Sequence, residues 1–311
     1  MSLFIKLFEN YSQYETYTAS TEFITPNVSL CANDNEVYYN PYVKPETRVV
    51  VKYNVTSTSS PTKIGYKQYI SGFSEIEIDD VVQPSVVSAY TFDTLGEHTL
   101  KYTLTDPTSI GGSAFRNCSN ITSISIPSSV TSIGYGAFDY CGLTSIDIPN
   151  SVTSIGEFVF EWCVNLTSIV IPNGVTSING YTFQNCSAMT TCTIGSGVTS
   201  IGERAFNSCK GLTSIAIPSG VTSIGNYAFN SCEGLTSIDI PSGVTSIGES
   251  AFEGCESFTS IIVRATTPPT LNSYAFESTN NCPIYVPSAN VETYKSTSGW
   301  STYASRIQAI S

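Results

Sequence analysis

The sequence contains little charge and almost no histidine. Only 12% of its 311 residues are charged, and its one histidine is His98. The 13 lysines and arginines stand against 25 acidic residues, which gives a net charge of -12. Because nucleic-acid binding draws its affinity from clustered Lys and Arg, this composition argues against nucleic acid as a partner.

Long apolar runs are also missing. No stretch approaches the roughly 18 apolar residues of a membrane-spanning helix, so the sequence predicts no membrane insertion. The N-terminal segment is apolar only briefly and reaches Glu9 before any small-residue cleavage site, which does not fit a secretory signal. From this start we expect a protein made in the cytosol that reaches an outside surface by another route, such as release within an assembled particle.

Recognisable catalytic motifs are absent as well. The chain has no G-x-S-x-G, HExxH or P-loop motif, and His98 lies in a predicted strand without a nucleophile motif beside it. Glu75, Glu77 and Asp79 share the outer face of one predicted strand, where a solvated edge is the simpler interpretation and a weak calcium site the alternative. The sequence therefore predicts no catalytic residue, no cofactor and no metal, and an enzyme is only a distant alternative.

The sequence is dominated by a phrase of 22 to 23 residues that returns seven times between Ile121 and Phe276. Each copy is close to L-T-S-I-x-I-P-x-x-V-T-S-I-G-x-x-A-F-x-x-C. The six full copies and a degraded seventh start at Ile121, Leu143, Leu166, Met189, Leu212, Leu235 and Phe258. A fixed period of this length predicts a solenoid whose units are stable only when stacked on their neighbours, and its long regular surface predicts binding.

Each repeat carries two extended segments and a turn. In the copy at Leu143–Pro149, β-branched residues alternate with polar ones and predict a short strand that ends at the proline. Val152–Ile155 predicts a second short strand, and the Ala-Phe-x-x-Cys segment that follows predicts one helical or 3-10 turn. The inward-facing phenylalanines are Phe115, Phe138, Phe160, Phe183, Phe206, Phe229, Phe252 and Phe276.

Ten cysteines are present, and seven of them occupy one position of the repeat. These are Cys118, Cys141, Cys163, Cys186, Cys209, Cys232 and Cys255. We expect a column of buried free thiols, because a disulfide needs a torsion that regular stacking does not guarantee, and zinc would need a CxxC pair or histidines. Cys31, Cys192 and Cys282 lie outside this column and have no assigned role.

L-T-S-I-x-I-P followed by V-T-S-I-G and A-F-x-x-C resembles the BspA-type leucine-rich repeat over residues 108–282. The tail, with Tyr294, Trp300 and Tyr303, is similar to the C-terminal cap of such arrays. The resemblance implies a mainly β fold: a right-handed leucine-rich-repeat solenoid of parallel short strands plus helical or 3-10 turns. It also implies surface proteins and adhesins, chiefly of gut and oral bacteria, that bind host proteins or other cells, and not an enzyme.

Columns that vary between repeats are the candidate binding surface. The candidate residues are Tyr140, Phe158, Trp162, Tyr181, Arg204, Tyr227, Asp147 and Asp239. Aromatic residues are typical of interface hot spots and of sugar stacking, so we expect a protein or glycan on a host or bacterial surface as the partner. The alternative is that the aromatic residues pack over the turn or against the N-terminal domain. Regular Thr-Ser columns also suggest ice binding, although Thr and Ser simply suit a solvated strand face.

The domain organisation follows from where the repeat begins and ends. We predict an attachment segment at 1–45, a small antiparallel β-domain at 46–106, the solenoid at 107–282 and a cap at 283–311. Strands of the β-domain are predicted at Arg48–Val55, Glu75–Asp79, Tyr90–Phe92 and His98–Leu104. The atypical first repeat, from Pro107, is expected to cap the exposed edge of the solenoid.

A second resemblance concerns the attachment segment. It is similar to N-terminal segments of virion proteins from phages that infect gut Bacteroidales, through Pro26, Asn27, Val28, Tyr38, Tyr39, Asn40 and Pro41. This similarity implies attachment to other virion proteins and a location on the virion surface. The alternative is a BspA-type adhesin at a bacterial cell surface or another extracellular location. The sequence leaves open whether the chain forms a homo-oligomer.

Overall fold

The computed structural model describes residues 47–68 and 70–310, together with the backbone of four short strands before them. Two compact units are present, Met1–Thr47 and Arg48–Ser311. In the first unit the strands pair in the order β2-β1-β4-β3, and they are β1 (Phe4–Leu7), β2 (Tyr17–Thr18), β3 (Leu30–Asn33) and β4 (Glu36–Tyr39). Tyr38 and Tyr39 of the predicted attachment site lie on β4. The remaining attachment residues, Pro26, Asn27, Val28, Asn40 and Pro41, lie outside the described residues.

The second unit begins with an antiparallel sheet, as predicted. Its elements are β5 (Arg48–Val55), β6 (Thr62–Lys63), a 3-10 helix (Ile70–Gly72), β7 (Phe73–Ile78), β8 (Val81–Val82), β9 (Ala89–Tyr90) and β10 (Gly96–Leu104). Strand β10 pairs antiparallel with both β5 and β7. Alternate residues of β5, including Val49, Val51 and Tyr53, are fully buried, because side chains alternate between the two faces of a strand.

Two rows of short strands form the solenoid. The first row is β12 (Ile121–Ser125), β14 (Ser145–Asp147), β16 (Ser168–Val170), β18 (Thr191–Thr193), β20 (Ser214–Ile215), β22 (Ser237–Ile240), β24 (Ser260–Val263), β26 (Ile284–Val286) and β27 (Ile307–Ala309). The second row is β11 (Ser109–Ile110), β13 (Ser132–Ile133), β15 (Ser154–Ile155), β17 (Ser177–Ile178), β19 (Ser200–Ile201), β21 (Ser223–Ile224), β23 (Ser246–Ile247) and β25 (Thr270–Leu271). Within each row most neighbouring strands pair in parallel and in register, so like residues stand above one another. The pairing is interrupted between β14 and β16, between β20 and β22, and between β15 and β17. The stacked parallel rows confirm the predicted solenoid.

The antiparallel sheet and the solenoid share one sheet. Strand β5 pairs antiparallel with β12, and the strand order is β14-β12-β5-β10-β7-β8. An unpaired strand edge would expose backbone donors and acceptors that recruit other chains. Here β5 covers the edge of β12, so this edge of the solenoid is capped by the antiparallel sheet itself.

A column of stacked phenylalanine rings fills the solenoid core. The eight rings from Phe115 to Phe276 are fully buried, with neighbouring centroids 5.1–5.6 Å apart and planes within 20° of parallel. Tyr102 meets Phe115 edge to face at one end, and Tyr303 meets Phe276 in the same way at the other. Both ends of the apolar stack are thus covered by aromatic side chains.

The segment around each of these phenylalanines forms successive β-turns, and the predicted helical or 3-10 turn does not occur there. Within one repeat, the amides of Ala137, Asp139 and Cys141 bond back three residues, while the amides between them bond forward to the next repeat. Phe138 N–H, for example, donates to the Val159 carbonyl at 3.0 Å, and Tyr140 N–H to Glu161 at 2.8 Å. Every second amide is thus hydrogen-bonded to the adjacent repeat. A continuous helical turn could not form these bonds, because its amides would be hydrogen-bonded within the turn.

The cysteine column is buried and reduced. All seven column cysteines are free, and in six of them Sγ lies 2.9–3.2 Å from the phenylalanine carbonyl of the preceding repeat. Burial raises the pKa of these thiols, to about 12 for Cys163 and Cys232, which keeps them protonated. Each of the seven thiols therefore packs the corner of the solenoid, and six of them donate a weak hydrogen bond between repeats. Cys118 Sγ instead lies 3.9 Å from the Arg116 carbonyl of its own repeat.

A compact cap closes the C-terminal end. After β26 come a 3-10 helix (Ser288–Asn290), α1 (Val291–Ser296), a second 3-10 helix (Trp300–Arg306) and β27. Trp300 and Tyr294 are fully buried, and they donate to the carbonyls of Pro269 and Ala265, each at 2.7 Å. Within the described part of the chain, no helix has the length and apolar character needed to cross a bilayer.

Candidate functional site

The candidate site is the surface over the β-turns, which we call the turn face. It consists of the residues two before, one after and two after each core phenylalanine. We call each repeat that contributes one of the eight core phenylalanines a rung. The two outer columns have positive φ in all eight rungs, between 51° and 74°. Their residues are Ser113, Gly136, Phe158, Tyr181, Arg204, Tyr227, Ser250 and Tyr274 before the phenylalanine, and Asn117, Tyr140, Trp162, Asn185, Ser208, Ser231, Gly254 and Ser278 after it.

Positive φ is cheap for Gly and tolerable for Asn, but it costs most other residues about 1–2 kcal/mol because Cβ crowds the following carbonyl. Gly136 and Asn185 meet this requirement at little cost, whereas Phe158, Trp162 and Tyr181 do not. The fold therefore requires a left-handed backbone at these positions but does not require an aromatic side chain there.

The column before the phenylalanines forms the first aromatic stack. Tyr135 directly precedes Gly136, the member of this column in the same repeat, and its ring centroid lies 5.1 Å from that of Phe158. Phe158 stacks on Tyr181 with the ring centroids 4.4 Å apart and the ring planes 9° from parallel. Arg204 continues the stack, its guanidinium carbon 5.5 Å from the Tyr181 ring and 4.8 Å from the Tyr227 ring. Phe158, Tyr181 and Tyr227 are half-buried, whereas Tyr135 is 54% exposed. Because stacked faces cover one another, the stacked rings leave mainly their edges toward solvent.

Polar groups line the outer edge of this stack. Tyr181 Oη donates to Glu203 Oε1 at 3.0 Å and accepts from Arg204 Nη1 at 2.8 Å. Tyr227 Oη donates to Glu249 Oε1 at 3.3 Å. These bonds hold the tyrosine rings and the guanidinium in fixed positions.

The column after the phenylalanines holds a second aromatic stack of two rings. Tyr140 and Trp162 stack at 5.5 Å with their planes 14° apart, and they are 43% and 40% exposed. The following rungs hold the small residues Asn185, Ser208 and Ser231. The stack therefore ends at Trp162, whose face toward the next repeat has no aromatic partner in its column.

A polar column runs between the two stacks. Asp139 is buried and pairs with Arg116, with Nε 2.8 Å from Oδ2, while Asp139 Oδ1 has no hydrogen-bond partner. In the next rung Glu161 accepts from Gln184 Nε2 at 2.9 Å. Burial raises the pKa of Asp139 to about 6 against the opposing effect of Arg116. Burial, with Asp139 adding to it, raises the pKa of Glu161 to about 7.

These two carboxyls predict a stability that increases as the pH falls from 8 to 5. Their pKa values in the folded state, about 6 and about 7, lie above those of an unfolded chain, so the folded state binds more protons in this window. Unfolding should therefore become harder as the pH falls through 7 and then 6, until the unfolded carboxyls also protonate near pH 4. Melting temperatures measured by circular dichroism should rise over this range.

The variants Asp139→Asn and Glu161→Gln test the origin of this effect. Combining them should flatten the dependence of melting temperature on pH, since both titrating groups are removed. Glu256→Gln, at an exposed position, controls for the loss of a negative charge. An unchanged slope in the double variant would assign the effect to other groups.

The two candidate residues on the strand face are placed differently. Asp239 is paired through Oδ1 and Oδ2 with Arg264, at 2.7 and 2.6 Å, and Asp147 is exposed on β14. Neither belongs to the turn face. The threonine rows on either strand row are also engaged, because Thr144, Thr167 and their counterparts donate their hydroxyls to carbonyls of the preceding repeat. This structural use of the hydroxyls accounts for their regular array without ice binding.

His98 and the acidic residues of the antiparallel sheet have local partners. His98 Nδ1 donates to Asp79 Oδ2 at 2.6 Å, and Nε2 lies 3.0 Å from the Thr94 carbonyl. Both ring nitrogens face acceptors; burial lowers the His98 pKa, but these bonds outweigh it and the pKa is raised. Arg48 pairs with Glu75 and Glu77. Within residues 47–68 and 70–310, no three metal-ligating side chains converge on one point.

Sequence reasoning missed the polar column and the left-handed backbone. The residue after each phenylalanine appears unremarkable in one repeat, and only stacking brings Arg116, Asp139, Glu161 and Gln184 into line. The signal for positive φ was present, however: both outer columns exchange Gly and Ser with aromatic residues, as at Gly136 and Phe158, and the column after the phenylalanines also contains Asn.

Comparisons with known proteins agree with this architecture. The sequence profile described as "BspA type Leucine rich repeat region" matches residues 85–213 and 199–300, in six copies. Comparison with curated proteins gives no match.

Several solved structures are similar. A leucine-rich repeat protein from Bacteroides ovatus is 35% identical, with 50% of this chain and 43% of that one covered and a TM-score of 0.45. A leucine-rich cell surface protein from Faecalibacterium prausnitzii is 28% identical over 58% of this chain and 56% of that one, with a TM-score of 0.42. A leucine-rich repeat protein from T. pallidum is 26% identical over 52% of this chain and 78% of that one, with a TM-score of 0.45. The chain thus spans less than two thirds of the B. ovatus and F. prausnitzii proteins.

The repeat profile covers more than half of the chain, and its copies coincide with the rungs of stacked phenylalanine, free cysteine and paired short strands. The chain therefore belongs to the BspA-type leucine-rich repeat family.

Proposed function

We propose that this protein is a non-catalytic recognition protein that binds a macromolecular partner through the turn face. The observation that carries the proposal is the set of bulky side chains at positive φ, namely Tyr140, Phe158, Trp162, Tyr181, Arg204 and Tyr227. Gly and Asn fill equivalent positions without this cost, so core packing does not call for these residues. Unfavourable side chains at strained backbone positions, where the fold would accept Gly or Asn, are typical of functional sites.

A protein surface suits the turn face better than a glycan does. A sugar that stacks on an aromatic side chain needs an exposed ring face. Here the stacked rings cover one another and leave a free face only where a stack ends. The turn face mainly offers ring edges, hydroxyls, carboxylates and a fixed guanidinium, which are the groups typical of hydrogen-bonded protein interfaces. Its aromatic and arginine content matches that of interface hot spots.

For the location we propose a bacterial cell surface or another extracellular setting. The BspA-type repeat supports this choice, since the resemblance implies surface proteins and adhesins. The alternative of a virion surface depends on the attachment segment at 1–45. Mass spectrometry of purified phage particles and of cell-envelope fractions from the source would distinguish the two.

Binding to whole bacterial cells, epithelial cells and mucin tests the recognition role. Replacing Phe158, Trp162, Tyr181 and Tyr227 together by Asn should weaken binding at least about tenfold, because each hot-spot truncation typically costs 2 kcal/mol or more. Asn is chosen because Asn185 already adopts the same backbone conformation. Flow cytometry with fluorescently labelled protein gives the measurement.

Val170→Ser is the matched control for this experiment. Val170 is 60% exposed on the strand face, so its replacement changes apolar surface away from the turn face. Melting curves of all variants must show a folded protein. Undiminished binding by the folded fourfold variant would remove the turn face as the recognition surface.

A further inference from the structure

We infer that the turn face holds a site for an arginine side chain of the partner protein, on the free face of Trp162 beside Glu161. This inference rests on the proposed function, because it names the chemistry of the partner that the same face takes.

The first aromatic stack already contains the arrangement that the site requires. The Arg204 guanidinium lies between the rings of Tyr181 and Tyr227, at 5.5 and 4.8 Å, and occupies one rung of the aromatic column. The repeat spacing therefore accommodates a guanidinium as a full member of a stack. Its charge is balanced by Glu203, whose Oε1 lies 3.1 Å from Nη1.

The second aromatic stack also has stacked rings with a carboxylate nearby, but no arginine among the described residues continues it. Tyr140 stacks on Trp162, and the next rung holds Asn185, whose side chain is too short to continue the stack. Trp162 is 40% exposed. A guanidinium on its free face would continue the second stack past Trp162, as Arg204 continues the first stack past Tyr181. Indole is the aromatic group that attracts cations most strongly.

The charges beside this rung also call for a cation. Glu161 is half-buried and, among the described residues, forms no ion pair, since Arg116 is paired with Asp139. Gln184 donates to Glu161 but its own Oε1 has no hydrogen-bond partner. The carboxylates of Glu161 and Asp139 both lie close enough to Tyr140 to raise the pKa of its hydroxyl, after burial as the first cause. An arriving guanidinium can thus stack on Trp162 with the half-buried Glu161 carboxylate beside it.

Arginine fits this arrangement better than lysine does. Its planar guanidinium stacks on a ring and directs several N–H groups within its plane, whereas the ammonium of lysine is a compact and strongly hydrated charge. The net charge of -12 favours the approach of a basic partner.

Fluorescence titration of the full chain with short peptides tests the site. The chain has two tryptophans, and Trp300 is fully buried. A ligand that stacks on Trp162 should therefore change the emission of Trp162 and leave that of Trp300 unchanged. We expect acetyl-Gly-Gly-Arg-Gly-Gly-amide to bind about tenfold tighter than the citrulline peptide, which has the same shape without the charge, and tighter than the lysine peptide. Binding should weaken between pH 8 and pH 6 as Glu161 takes up a proton.

Two variants and a control complete the experiment. Glu161→Gln should reduce affinity for the arginine peptide about tenfold and weaken its pH dependence, leaving only the smaller effect of Asp139. Trp162→Leu should abolish binding, which is measured by NMR of the peptide because this variant lacks the fluorescent reporter. Val170→Ser should bind as the unaltered chain does. Equal affinity for the arginine and citrulline peptides, or full affinity in folded Glu161→Gln, would overturn the arginine site.

The cell-binding assay separates this inference from the proposed function. If cell binding needs the aromatic residues but the peptides show no preference for arginine, only the arginine site is wrong. If cell binding does not need the aromatic residues, the proposed function is wrong whatever the peptides show.

Discussion

Phe206→Ala is expected to lower the free energy of unfolding by about 3–5 kcal/mol, because it removes a fully buried ring and leaves a cavity. Phe206 lies in the middle of the core column, 5.2 Å from Phe183 and 5.1 Å from Phe229. Both stacking contacts are lost, and neighbouring repeats cannot close the gap without breaking their paired strands. Chemical denaturation followed by circular dichroism measures the change.

The position of Phe206 should also alter how the chain unfolds. In a solenoid each repeat contacts only its neighbours, so a weak central rung separates the two halves. Trp300 reports on the C-terminal cap through its fluorescence, and its transition should no longer coincide with that of circular dichroism in Phe206→Ala. Tyr274→Ala is the control: Tyr274 is an aromatic residue of the turn face, 60% exposed, and its loss should cost less than about 1 kcal/mol. If Phe206→Ala lowered the free energy of unfolding as little as Tyr274→Ala does, the column of phenylalanine rings would not have the proposed role in stability.

Gly142→Ala is expected to destabilise the chain by about 2–3 kcal/mol through a steric clash with backbone. Gly142 stands alone between Cys141 and Leu143, where the next repeat has Val164 and Asn165 between its cysteine and leucine. A Cβ at Gly142 would lie 2.0 Å from the Ser119 carbonyl oxygen. Because the obstacle is backbone of the preceding repeat, no side-chain rotation relieves it.

Gly220→Ala is the matched control for this clash. A Cβ at Gly220 would meet its nearest heavy atom, the Val198 carbonyl oxygen, at 3.5 Å, which is an ordinary contact. This variant should retain the stability of the unaltered chain or gain slightly, since alanine restricts the unfolded chain. Thermal melts of the two variants side by side measure the difference, and equal melting temperatures would show that the shortened turn relaxes freely.

Much of the fold could be predicted because the pattern within one repeat is local. The alternation in Leu143–Pro149 predicts a strand, and the recurrence of Phe and Cys predicts two buried columns. Alternation in β5 and β10 likewise predicted the antiparallel sheet. The pairing of β5 with β12 was not predictable in this way, since it joins residues about 70 apart and carries no local signal.

The aromatic columns show where prediction from sequence stops. Their residues could be picked out by comparing repeats, but the sequence does not say which way the rings face. Stacking of Phe158 on Tyr181, and of Tyr140 on Trp162, turns ring edges outward, and this arrangement is why we propose a protein rather than a glycan from the two partners that the sequence suggests. That outcome depends on positive φ in each turn and on contacts between residues 22 or 23 apart.

By itself the sequence determined the period, the strands, the buried columns and the family, because hydrophobic alternation and repeat identity are properties of neighbouring residues. Only the tertiary structure decided that the turns are left-handed at two positions, that Asp139 and Glu161 share a polar column, and that the stack ends at Trp162. These features arise between repeats rather than within them. Burial, stacking and shifted pKa values depend on which groups come together when the solenoid closes on itself, and no single repeat contains that information.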